Sequence, residues 1–546
     1  MNKVATYLQQ HLSGEVVTTP SVRRYFSTDG SVFEMMPQVV IYPKNATDVR
    51  KLARFAWQLA EKGHKLPLTA RGHGTDQGGA AIGRGMSIVF PAHMDRLLEL
   101  DASKGFVRVQ PGMNYRTLQD ILISHRLFLP PYPASIDYCS IGGAVANNAA
   151  GEKSVKYGAT RRFVKELKVV LGNGDVIETK RLSKRELNRK KGQTDLEGEI
   201  YRQLDNLLTD HATLLADLTQ RPQTTKNSSG YALTEVKQKD GSFDLTPLFV
   251  GAQGTLGFIT EATLDVETYN PEQTLLVGQF ETLEQASEAI EQLTSLHPSA
   301  LEIVDKHVLT FLAEHDPAKL KGILEAPFPA FLLLAEFDDA SDRTRKKLAK
   351  KASKIFGKLA HSWQETSDLD EQERVWDIRH GAATAIWQGE ENGAKALPII
   401  EDGIVPQAQF ATYVSAVYAL FAKHHLQVSL WGHAGDANLH MQPFLDLAKL
   451  GDRQKIFKLM DEYYALVASL GGNMSAEHGD GRLRGPYLEE FYGKEIYTLF
   501  QQVKAIFDPH NILNPGVKVN SSKAEAMALL RSDYNLAHLS DHLPRS

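Results

Sequence analysis

Apolar and polar residues recur along the chain with two periods. Val39 to Tyr42 is an apolar run of strand length. In the following NATDVRKLARFAWQLAEKG, the residues Val49, Leu52, Ala53, Ala56 and Leu59 return at three- and four-residue steps. That spacing predicts a helix with one buried face, capped by Asn45 or Thr47 and stopped at Gly63. LPLTA and SIVF read as strands on either side of a glycine loop, RGHGTDQGG. FVRVQPG alternates and ends in a turn, and a helix is expected from about Tyr115 to His125. VKELKVVL and DVIETK, joined by Gly172, Asn173 and Gly174, predict a hairpin. Residues 181–200 turn charged and read as an exposed insertion before strands resume in PLFVGAQGTLGFITEATLDV.

A second pattern starts near residue 270. Strand TLLVGQF, helix LEQASEAIEQL and strand FLLLAEF are followed by a basic helix, and LQVSLWGHAGDANLHMQPF reads as two strands around a turn. Helices mixed with hairpins predict an α+β fold. The expected organisation is a lead-in over 1–35, a first domain over 36–270, a second α+β domain with a mostly antiparallel sheet over 271–520, and a tail over 521–546. The tail carries no motif, and the chain has no internal repeat.

Composition removes several classes. The 546 residues suggest two or three domains at about 100–200 residues each. A net charge of −5 gives no footprint for nucleic acid. The single cysteine, Cys139, allows no intrachain disulfide and no iron–sulfur cluster. No apolar run reaches the ~18–20 residues of a membrane span, and MNKVATYLQQHLSGEVV lacks a signal-peptide core. The expectation is a cytoplasmic protein, with peripheral contact at the inner face of a membrane left open. SDRTRKKLAKKASKIFGKLA adds a basic helix with an apolar stripe of Leu348, Ala352, Ile355 and Leu359, read as a solvated helix packed on the second sheet.

Two segments are rich in Gly, Ala, Ser and Asn: Arg71 to Gly79, and Pro130 to Gly158. Such backbone approaches a ligand closely, and its N–H groups can nest phosphate oxygens. The dinucleotide fingerprint of parallel-sheet folds fails, because Gln77 stands where it needs a glycine. PLTARGHGTDQGG, SIGGAVANNAAG and VGAQGTLGFITEATL together resemble the FAD-binding domain of the vanillyl-alcohol-oxidase, or p-cresol methylhydroxylase (PCMH), flavoproteins. The resemblance implies that the loop of Arg71, Gly72, His73, Gly74, Thr75 and Asp76 wraps the FAD pyrophosphate. It implies that Ser140, Gly142, Gly143, Asn147 and Gly151 lie along the pyrophosphate and flavin, and that the backbone near Ile259 meets the adenosine. Some relatives attach the flavin to a histidine at the position of Thr75, so non-covalent FAD is expected here.

The second half carries its chemistry between Trp431 and Arg484. WGHAGDANLH puts His433 and His440 on either side of a turn, and SAEHGDGRLRG brings Glu477 and His478 together. Two histidines and a carboxylate form a common ligand set for a divalent metal with positions left open. With ILNPGVKV near the end, these motifs resemble the D-lactate, glycolate and D-2-hydroxyglutarate dehydrogenase branch of the same flavoproteins. The resemblance implies zinc or manganese on His433, His440 and Glu477, with His478 as general base. It further implies Asn514 beside flavin and substrate, and Arg379 and Lys395 on the substrate carboxylate. A metal on the hydroxyl would bring its proton within reach of a histidine. D-lactate is the first expected substrate and D-2-hydroxyglutarate the second, because the sequence shows no cation for a second carboxylate. The electron acceptor is left open among a cytochrome, a quinone, an electron-transfer flavoprotein and a separate iron–sulfur subunit. The competing readings are a non-redox transferase like alkylglycerone-phosphate synthase and an inactive flavin-binding partner subunit.

Overall fold

The computed structural model describes residues 3–220, 224–388, 390–391 and 393–539. Its first sheet holds β1 (Glu15–Val17), β2 (Val39–Tyr42), β3 (Leu68–Arg71) and β4 (Met86–Val89), in the order β1-β2-β4-β3. The last three are parallel, and β1 adds an antiparallel edge, so the lead-in is built into the sheet. Helix Ala46–Glu61 crosses over between β2 and β3, burying Val49, Leu52, Ala53 and Ala56. Asn45, rather than Thr47, is its cap and accepts from the Asp48 N–H.

The second sheet is antiparallel, with β5 (Leu97–Asp101), β6 (Phe106–Val109), β8 (Val164–Val170), β9 (Val176–Thr179) and β10 (Phe258–Asp265) in the order β5-β6-β10-β8-β9. A short ribbon of β7 (Leu127–Phe128) and β11 (Glu267–Thr268) stands beside it. The charged stretch at 181–200 is helical: Lys184–Lys191 begins with a capping box of Ser183 and Glu186 and buries Leu187, and Leu196–Asp210 buries Ile200, Tyr201 and Leu204.

The third sheet has eight strands, all paired antiparallel: β12 (Thr274–Phe280), β13 (Ala300–Asp305), β14 (Phe331–Phe337), β15 (Ser362–Thr366), β16 (Glu390–Glu391), β17 (Ala394–Ala396), β18 (Val428–His433) and β19 (Asn438–Leu445). Their order is β15-β12-β14-β13-β18-β19-β17-β16. The basic helix, Asp342–Leu359, buries Arg345, Ala349, Ala352, Phe356 and Leu359. Ala352 and Leu359 of the expected stripe are buried and Leu348 and Ile355 are half-buried against the core, which Ala349 and Phe356 widen on one side, Phe356 filling the space over Gly278.

One apolar cluster runs through both halves, from Leu118 and Val145 to Leu301 and Ile303. The tail returns to the lead-in. The Arg531 N–H donates to Val32, the Tyr534 hydroxyl to Gly30, and the His538 ring meets the Gly74 carbonyl. Among the described residues no helix is long and apolar enough to cross a membrane.

Candidate active site

The β18–β19 hairpin sets the first two histidines. Its register pairs Trp431 with His440 and His433 with Asn438, so His433 and His440 are diagonal neighbours on one face. Their ring centres are 5.3 Å apart. Glu477 and His478 come from the loop after helix Leu450–Ser469. Asp402 holds that loop: its carboxylate accepts from the Ser475 hydroxyl at 2.6 Å, the His478 N–H at 2.9 Å and the Glu477 N–H at 3.2 Å.

The result is a convergence on one atom. Glu477 Oε1 lies 3.2 Å from His433 Nε2, 3.4 Å from His440 Nε2 and 3.6 Å from His478 Nε2. Each ring is braced from behind. His433 Nδ1 donates to Glu302 Oε1 at 2.8 Å, and His440 Nδ1 to the Glu401 carbonyl at 2.7 Å. His478 Nδ1 stands 2.5 Å from Glu401 Oε2, a close ion pair outside hydrogen-bond geometry. Outer acceptors of this kind fix the tautomer and aim of metal-binding histidines.

Charge gives a second test of metal fit. Among the described residues, the carboxylates of Glu302, Glu401, Asp402, Asp436 and Glu477 face three buried cations, Arg379, Arg484 and Lys226. With neutral imidazoles the cluster is therefore two charges negative. Burial opposes charge on His433, but Glu302 and Glu477 outweigh it and raise the ring to about 9. Burial likewise opposes charge on His478, and Glu401 followed by Asp402 raises it to about 10. Two protonated rings thus balance the excess, and one dication would balance it as well while freeing the nitrogens. The donor set fits a divalent metal.

A cavity of about 750 Å³ opens on this cluster, lined by Thr75, Gly143, Asn147, Arg379, Trp431 and His478 among others. Arg379 is buried; its Nε donates to Glu302 Oε2 at 2.7 Å, and its Nη1 has no partner. A wider cavity of about 1830 Å³ shares Pro133, Ala134, Arg379 and His433 with it.

A third cavity, of about 540 Å³, runs between the glycine segments and shares Gly143 with the first. Gly72, Ser140, Gly142, Gly143 and Ile259 line it. A Cβ at Gly72 would come 2.3 Å from Ser140 Oγ, so glycine here leaves room for the hydroxyl that caps the following helix. Arg71 also lines this cavity; its Nη1 donates to the Thr28 carbonyl, while Nε and Nη2 are buried without partners. Gly74 has φ +82°, and Ser140 caps helix Ile141–Asn147. This glycine-lined space with orphaned guanidinium N–H groups fits a dinucleotide.

Other expected cofactor residues are placed differently. Asp76 accepts from the N–H groups of Gly78 and Ala80 and from the Asn147 amide, tying the two segments together. His73 is half-buried with a bare Nδ1, and burial followed by Arg71 lowers its pKa. Gly151 packs on the Tyr132 carbonyl. Asn514 is buried as a strut: its amide donates to Ala80 and Gln253 carbonyls and its oxygen accepts from Thr69. Lys395 is turned away from the cluster, donating to the Tyr534 carbonyl at 2.8 Å with Asp533 4.0 Å away. Its strand β17 borders the tail, which explains the difference: residues close in sequence to Arg379 need not share its face.

Glu302, Glu401, Asp402, Arg484 and Lys226 were not foreseen. PIIEDGIVP did hold a signal, since an acidic pair between apolar runs must find partners if buried. Glu302 and Lys226 carry no comparable signal.

The architecture is that of the PCMH-type FAD-binding proteins. It resembles p-cresol methylhydroxylase with a TM-score of 0.67 at 14% identity, over 95% of this chain and 96% of that one. Residues 37–180 match the FAD binding domain model and residues 270–517 the model for FAD linked oxidases, C-terminal domain; the chain belongs to this FAD-linked oxidase family. Among curated relatives, D-2-hydroxyglutarate dehydrogenase of Pantoea ananatis (strain AJ13355) is 30% identical over 551 residues, covering 98% of this chain and 53% of the relative. D-lactate dehydrogenase of Archaeoglobus fulgidus is 28% identical over 479 residues, 88% of this chain and 90% of that one. The chain thus spans about half the length of the first relative.

Proposed function

We propose that the chain oxidises a D-2-hydroxy acid to the 2-oxo acid with non-covalent FAD and zinc or manganese, D-lactate being the first candidate and D-2-hydroxyglutarate the second. The observation that carries this reading is the convergence of three imidazole nitrogens on Glu477 Oε1 beside the bare guanidinium edge of Arg379. Relatives named for both acids support it. In such a reaction FAD supplies the hydride acceptor, and a divalent metal held by His433, His440 and Glu477 makes the substrate hydroxyl more acidic.

The chain's own residues do the rest. Arg379 receives the substrate carboxylate on the edge that Glu302 leaves free, which fixes the hydroxyl-bearing carbon in the cavity. His478 accepts the hydroxyl proton at Nε2, and Glu401 behind Nδ1 stabilises the imidazolium that forms. Trp431, 2% exposed, closes the cluster against water. Among the described residues Arg379 is the one arginine or lysine lining this cavity, which favours a substrate with one carboxylate.

The test is an anaerobic titration of the FAD-loaded protein with D-lactate, L-lactate, D-2-hydroxyglutarate and glycolate. One D-acid is expected to bleach the flavin band, and His478→Ala to slow bleaching by about 10²–10⁴-fold. A flavin that none of them bleaches, after zinc or manganese has been supplied, would overturn the proposal.

A further inference from the structure

Lys226 belongs to the first half of the chain, yet its ammonium is wholly buried against the ligand loop of the second. Nζ donates to Glu477 Oε2 at 2.7 Å and stands 3.7 Å from Asp436 Oδ2. The opposite oxygen, Oε1, is the one that the three imidazoles face. The two oxygens of Glu477 are thus divided between a fixed cation and the metal-fit cluster.

The lysine is not an adaptable side chain that found a nearby acid. The residues that follow it are bound to the same loop at three points. The Ser228 N–H donates to the Ser475 carbonyl, the Ser228 hydroxyl to the Ala476 carbonyl at 2.8 Å, and the Gly230 N–H to Asp480 at 2.8 Å. The three cations also follow a pattern. Arg379 braces Glu302 behind His433, Arg484 braces Glu401 behind His478, and Lys226 braces Glu477 directly. A buried ion pair adds little stability over an apolar pair of the same volume, so its value here lies in orientation.

We propose that Lys226 is a positioning residue for the metal: by holding Oε2 it restricts Glu477 to ligation through Oε1 and leaves a coordination position open for substrate. A carboxylate free to turn would offer both oxygens and fill that position. The inference rests on the metal-dependent dehydrogenase reading above.

The experiment compares the full FAD-loaded chain with Lys226→Met and Lys226→Gln, using cobalt(II) as probe. Equilibrium dialysis gives its Kd, and the visible bands of the bound ion report its coordination number. Flavin content and melting temperature show whether each variant is folded. The methionine variant is expected to bind cobalt more tightly, because one cation fewer faces the carboxylate and both its oxygens are free, with visible bands shifted towards a higher coordination number and normal flavin content. The glutamine variant, whose amide still donates to Oε2, is expected to return part of the way to the unaltered Kd and bands. A folded methionine variant with unchanged Kd and bands overturns the inference alone. An unaltered chain that takes up no divalent metal overturns the metal reading and the inference together. Should the methionine variant not fold, Lys226→Ala against the unaltered chain decides, an unchanged Kd and spectrum again overturning it.

Discussion

Arg379 has one edge on Glu302 and the other bare, and that asymmetry sets what a substitution does. Lysine at this position would keep a positive charge but could not hold Glu302 and a substrate carboxylate in parallel, because an ammonium lacks the planar fork. Arg379→Lys is therefore expected to raise KM for the hydroxy acid by about 10–100-fold, the cost of one charge-assisted bond. The flavin spectrum should not change, since Arg379 does not line the glycine-segment cavity. Steady-state kinetics check this: an unaltered KM would remove Arg379 from substrate binding. The same residue shows where sequence reading ends. Its charge and neighbourhood marked it as a candidate, whereas Glu302, which aims both Arg379 and His433, lies in an ordinary apolar strand, ALEIVD. Only the pairing of β13 with β18 brings it to the site.

Elements were legible where one period dominated. Helix Ala46–Glu61, the hairpin around Gly172–Gly174 and the strands TLLVGQF and FLLLAEF follow directly from spacing. The hairpin carrying His433 and His440 was legible too, because a two-residue side-chain alternation on paired strands fixes their common face. The tail was not legible, since its polar contacts to Val32, Gly30 and Gly74 and its scattered apolar ones, such as Ala526 and Tyr534, follow no period. One of them gives the tail a pH dependence. Burial, with the Arg71 guanidinium adding to it, lowers the His538 ring from 6.5 to about 4. An undocked tail takes up a proton as pH falls through 6.5, whereas the docked tail does so only near 4. Docking is therefore at full strength above pH 6.5, weakens as pH falls to about 4, and levels off below that. The loss amounts to at most roughly 3 kcal/mol. Exchange of the Arg531 amide, bonded to Val32, should quicken over that window, beyond the intrinsic rate, and His538→Gln should flatten the response. A response that survives the substitution would assign it to another group.

At the level of the whole molecule, the two halves meet through charge as well as apolar packing. The end of the second glycine stretch lies against the third sheet: Lys153 pairs with Glu336 on β14, Tyr157 donates to Asp338 at 2.8 Å, and Ser154 to Asp436 at 2.6 Å. Glu336 also accepts from the Ser299 hydroxyl. Both partners of the Lys153–Glu336 pair are buried. Removing one charge strands the other in a low-dielectric setting, at a cost of about 3–5 kcal/mol, while removing both leaves mainly a packing change. Lys153→Met is accordingly expected to lower the unfolding free energy by about 3–5 kcal/mol, and Lys153→Met combined with Glu336→Gln to recover most of it. The pair sits on the border of the cavity that leads to Arg379 and His433, so the single variant should also loosen the closure over the cluster. Denaturant unfolding of the FAD-loaded chain, run as a double-mutant cycle, measures the coupling directly. Additive losses in the cycle would mean that the two charges do not act as a pair across the halves.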